Sequence, residues 1–133
     1  VHDVFCDLLK QYERLTDREA LRGWLSTVAV RAVRKRLRRV RLRRRLGLDA
    51  EGDYEAVAGV GASPETRAFL AALYRHLAEL PTDQRLAWSL RHLEGEELET
   101  VAVRCDVSLA TIKRKIAAAH AYLTKELGPW MDC

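Results

Sequence analysis

The sequence predicts an all-α protein: two small helical domains joined by a flexible linker, the second of them a helix-turn-helix domain. Three observations predict it. Apolar residues return at three- and four-residue steps through most of the chain, the spacing of one helix face. Leu, Ala and Val dominate the apolar set, aromatics make up 7%, and only seven Gly and three Pro interrupt 133 residues, a mix that favours helices over a sheet sandwich. One acidic, glycine-bearing stretch breaks the pattern and divides the chain into residues 1–46, a linker at 47–63 and residues 64–128. Each unit has a thin core and is expected to be only marginally stable alone.

Val1, Val4, Phe5, Leu8, Leu9 and Tyr12 give the opening segment an amphipathic helical pattern. It is already running at residue 1, where Val stands rather than Met, so further helices of the first domain are expected to precede this sequence. Thr16-Asp17-Arg18-Glu19 matches a capping box, with the Thr hydroxyl taking a free amide and the Glu reaching back. The long helix it announces carries Leu21, Leu25, Val28, Ala32, Leu37 and Val40 as its apolar stripe. Gly47, Gly52, Gly59 and Gly61, among Asp49, Glu51, Asp53 and Glu55, then mark the linker. Ser63-Pro64 starts a helix lined by Phe69, Leu70, Leu73, Leu77 and Leu80, and Pro81 ends it. The next begins at Thr82 or Asp83, turns Leu86, Leu90 and Leu93 inward and closes at Gly95. A short helix is expected at 98–104 with Leu98, Val101 and Ala102 buried. The last is expected at 109–127, with Leu109, Ile112, Ile116, Ala119 and Leu123 as its stripe.

Charge is unevenly spread. Ten basic residues and no acidic one lie between Arg31 and Arg45, more than the whole net charge of +4, so the rest of the chain is net acidic. A basic block on an acidic body points to a local polyanion site. Nucleic acid, an acidic protein surface, an anionic membrane and solvent are all possible companions for such a block. A membrane helix is disfavoured because no bulky aromatic face accompanies the arginines.

The most informative stretch is residues 98–116, which reads as a helix-turn-helix. Ala102 is small where a second helix must cross closely. Asp106 follows four residues later, at the turn position that needs a left-handed backbone, which Asp tolerates better than most residues. Val107 plugs the turn into the core and Ser108 caps the second helix. Thr111, Lys113, Arg114 and Lys115 then stand near the start of that helix and off its apolar stripe, where a recognition helix presents side chains to base edges and phosphates. The bland alternative, a helical hairpin whose cations are merely solvated, lacks a reason for the Ala–turn–Val–Ser spacing.

An enzyme is not expected. His2, His76, His92 and His120 are scattered without catalytic or metal spacing, and the acidic residues form no recognisable pair. His76 and His92 read as surface or capping residues. Cys6, Cys105 and Cys133 are odd in number, widely spaced and without a C-x-x-C pair, so reduced cytoplasmic thiols are expected, with Cys105 buried and inert. No cofactor or metal is expected. No apolar run reaches membrane length and no signal peptide is visible.

The residues resemble a known family, the extracytoplasmic-function sigma factors. Leu21-Arg22-Gly23-Trp24-Leu25-Ser26-Thr27-Val28-Ala29 is similar to that family's S-L-R-A-W-L-x-x-I-A pattern in region 2, and the basic helix follows in the right place. Leu80-Pro81, Leu93-Glu94-Gly95, Val101-Ala102 and Val107-Ser108-Leu109-Ala110-Thr111-Ile112-Lys113 resemble region 4 in order and spacing. The resemblance implies a protein that binds core RNA polymerase and directs promoter recognition and transcription initiation. Region 4 would read the −35 element through Ser108, Thr111, Lys113, Arg114 and Lys115. Region 2 would meet the −10 element through Arg31, Arg34, Lys35 and Arg38, with Val1, Val4 and Phe5 near the polymerase. The loop from Tyr12 to Asp17 corresponds to where the family captures a flipped base, and an anti-sigma protein is the regulator the family implies. Family members usually carry Asn and Asp where Arg31 and Lys35 stand, so −10 contact here is expected to be altered or largely electrostatic. Two other classes compete: a stand-alone helix-turn-helix regulator, which binds DNA but not polymerase, and a protein-binding adaptor, which has no salt-dependent DNA affinity.

Overall fold

The structure, a computed structural model, describes residues 17–49 and 58–131, together with His2, Cys6, Leu9, Lys10, Gly52, Tyr54 and Ala56. Val1, Val4, Phe5 and Tyr12 lie outside the described residues. Among those described there are five α-helices and no strand: α1 (Arg18–Arg45), α2 (Pro64–Glu79), α3 (Thr82–His92), α4 (Leu98–Cys105) and α5 (Leu109–Leu127), with a 3-10 turn at Gly128–Met131.

α1 begins one residue later than the capping pattern suggests. Asp17 is the cap: its backbone is extended (φ −128°, ψ 135°), and its carboxylate accepts from the Glu19 amide at 3.1 Å. Arg43, Arg44 and Arg45 fill the last turn, where cations suit the negative end of the helix dipole. Its expected apolar stripe is only half covered, and Val30, which that stripe omits, is its one buried residue. The reason is where α1 finds its neighbours. It packs against α3 and α4 along an edge that carries Val30, Arg34, Leu37 and Arg41, which shares only Leu37 with the expected stripe.

The core gathers around α5, which packs on α2, α3 and α4. Leu77, Val101, Ile112 and Leu123 are its largest fully buried side chains, with Ala87 and Ala119 closing gaps between helices. Each large apolar side chain buried this way contributes about 1.5–3 kcal/mol. α2 starts as its sequence implies, with Pro64 in the first turn and the Ser63 hydroxyl accepting from the Thr66 amide at 3.2 Å. Leu80 is extended ahead of Pro81, as the proline ring demands, and Pro81 in turn leads into α3.

Leu93 departs from its expected inward position. α3 has ended at His92, so Leu93 sits at the cap and is 44% exposed. Gly95 then reverses the chain at φ 71°, and the Glu96 amide donates back to the Leu90 carbonyl at 3.0 Å. Arg91 donates to the Glu96 carbonyl at 2.9 Å and Arg104 pairs with the Glu96 carboxylate, bracing this loop against α4. His92 is exposed in the last turn of α3, as expected, and its ring lies 4.9 Å from Trp88 and stacks on His120 at 5.4 Å.

Candidate nucleic-acid interface

The α4–α5 corner is built by three consecutive residues with separate tasks. Asp106 adopts the left-handed conformation (φ 55°, ψ 49°), the only non-glycine positive φ among the described residues. That turn lets the Val107 amide reach the Ala102 carbonyl at 3.1 Å, and Val107 packs against the core. Ser108 is extended and its hydroxyl accepts from the Thr111 amide at 3.2 Å, opening α5. Ala102 is buried with Val101 beneath the crossing helix. Because the left-handed conformation strains any residue with a Cβ, Asp106→Gly is expected to raise the unfolding free energy by up to about 1 kcal/mol. Asp106→Val, which is β-branched, is expected to lower it, and urea midpoints at constant slope would read both.

Ile112, Ile116, Ala119 and Leu123 anchor α5 in the core, and this orients its first turns. Lys113 and Arg114 are exposed. Thr111 is half-buried; its hydroxyl oxygen accepts from Ser108 at 2.9 Å and from the Arg114 guanidinium at 3.4 Å, which leaves its own proton to donate outward. Lys115 points elsewhere. Its ammonium, with the side chain 28% exposed, lies 3.5 Å from the Asp83 carboxylate.

The arginines of α1 divide in the same way. Arg31 and Lys35 are exposed. Arg34 is 19% exposed: its Nη2 donates to the Cys105 carbonyl at 2.6 Å, and its Nε stands 3.4 Å from Asp83. Arg38, mostly in solvent, donates through Nη2 to both Asp83 oxygens at 3.2 and 3.3 Å. Asp83 therefore joins Arg34, Arg38 and Lys115, three cations from two different basic helices. Beside it opens a cleft of about 350 Å³ walled by Arg38, Arg41, Arg45, Thr82, Gln84 and Lys115.

Asp83 is the residue that sequence reasoning missed, having read it only as a helix start. No signal in the sequence could have found it, since Arg34 and Lys115 lie far from it along the chain. Cys105 is buried as expected, and burial pushes its thiol pKa up. Among the described residues no group of His, Cys, Asp or Glu is placed to hold a metal ion, and no helix is long and apolar enough to cross a membrane.

Residues 1–128 match the family profile described as ECF sigma factor. The chain belongs to the ECF sigma-factor family. Members of this family are regulatory and act in transcription initiation. This sigma factor is similar in fold to the sigma factor RpoE, solved in complex with the anti-sigma factor NepR from Bartonella quintana. The two share 24% sequence identity over 96% of this chain and 78% of that one, with a TM-score of 0.65. A search of curated proteins finds no match to this sigma factor.

Proposed function

We propose that this sigma factor works as two DNA-binding units on core RNA polymerase: region 2 at residues 1–46 and region 4 at 64–128, joined by the linker 47–63. α4 and α5 form the helix-turn-helix, with Ser108, Thr111, Lys113, Arg114 and Lys115 reading the −35 element in the major groove. Arg31, Arg34, Lys35 and Arg38 on α1 meet DNA near the −10 element, and Val1, Val4 and Phe5 belong to the polymerase-binding surface. The observation that carries this reading is the family match across both units. The corner geometry supports it, since Asp106 and Ser108 set the first turns of α5 with Lys113 and Arg114 outward. A cytoplasmic protein restrained by an anti-sigma partner completes the proposal.

Co-elution of the purified chain with core RNA polymerase, followed by transcription from a promoter library, tests it. Specific transcripts that appear only with the chain present support a sigma subunit. Salt-sensitive DNA binding without any hold on polymerase would instead make it a stand-alone regulator. Absence of both would leave a protein-binding adaptor.

A further inference from the structure

We propose that Asp83 is an internal stand-in for DNA phosphate, a latch that holds this sigma factor closed by occupying cations of both DNA-facing elements. The inference rests on the DNA-binding reading above and adds to it a residue that controls access. Arg34 and Arg38 come from α1 and Lys115 from α5, and all three lie within 3.5 Å of one carboxylate. An anion at that point satisfies the charges that would otherwise be offered to the nucleic acid. Arg34 adds a second tie by donating to the Cys105 carbonyl at the end of α4.

The rest of the contact suggests a latch rather than a permanent joint. Val30 is the only buried residue that α1 contributes, so the apolar part of the contact is thin. The Arg38 pair, 61% exposed on the arginine, is weak and screened by salt, and the more sheltered Arg34 and Lys115 pairs keep a carboxylate that is still a third open to water. Several together are enough to bias a closed form, yet a stronger polyanion can displace them. The cleft beside Asp83 gives such a competitor an approach, since Arg38, Arg41, Arg45 and Lys115 line its walls. A phosphate entering there exchanges one anion for another, and the duplex gains by releasing its own counterions. Lys113 and Arg114 remain exposed in the closed form and make the first contact.

Asp83→Asn and Asp83→Ser keep a polar residue in the first turn of α3 while removing the charge. Glu79→Gln is the control: it removes one negative charge from the neighbouring end of α2, where that side chain has no part in the latch. Each full-length protein is measured by small-angle scattering without DNA and by duplex binding at fixed salt. The latch predicts a larger radius of gyration for both Asp83 variants and binding tighter by roughly tenfold, with Glu79→Gln close to wild type in both. An unchanged radius, or an affinity gain shared equally by Glu79→Gln, would overturn the latch and leave only a general charge effect. Failure of every chain, wild type included, to bind duplex would instead sink the DNA-binding reading, a result that the scattering data keep separate.

Discussion

Replacing Lys113 and Arg114 together by Ala is expected to weaken binding to promoter duplex by about 1–3 kcal/mol for each base-contacting side chain lost, or roughly 5- to 150-fold. The two residues stand in the opening turns of α5, exposed, on the side away from Ile112 and Ile116. On the proposed reading, removing them takes away contacts to DNA while leaving the core untouched, so the thermal midpoint should stay close to that of the parent. Anisotropy titrations against promoter and random duplexes at a fixed salt concentration separate the two kinds of contact. A side chain that reads bases costs more on the promoter than on random DNA; one that meets only phosphate costs the same on both and reduces the salt slope by about 0.9. An unchanged affinity for both duplexes would remove α5 from the DNA interface.

Leu123→Ala should have the largest effect on stability, about 2–5 kcal/mol. The side chain is fully buried on the inner face of α5, the helix against which α2, α3 and α4 pack. Truncation leaves a hole in the core that α5 organises. A small domain holds only about 5–15 kcal/mol in total, so a large share of its stability goes with one side chain. Val103→Ala supplies the contrast. Val103 is 71% exposed on α4, and its loss should change the urea midpoint by less than about 0.5 kcal/mol. Equal effects at the two positions would mean that α5 does not organise the core.

These two predictions draw on parts of the molecule that differ in how well they can be read from sequence. The α4–α5 corner was legible because each requirement is local. Asp tolerates a left-handed backbone, Ser reaches its own helix amide three residues on, and apolar residues at helical spacing choose the inner face of α5. The start of α1 was harder, because Thr16 and Asp17 both carry capping oxygens and only the extended backbone at Asp17 decides between them. Val30 and Asp83 were not legible at all. Which edge of α1 is covered depends on α3 and α4, whose surfaces arise much later in the chain. The same holds for the His92–His120 stack, formed by two helices whose separate sequences contain no sign of each other.

The connection between α1 and α2 runs over residues 46–63. Fully extended, a stretch of that length spans at most about 60 Å, close to the rise of some eighteen base pairs of B-form duplex at about 3.4 Å each. That tether sets a ceiling on the distance between the end of α1 and the start of α2, to which the lengths of the helices on either side add. On the proposed reading, a promoter spacing beyond the summed reach of tether and helices is out of range by chain length alone, whatever the bases say. Trimming the tether would lower the ceiling and narrow the range of spacings that the two helices can serve at once.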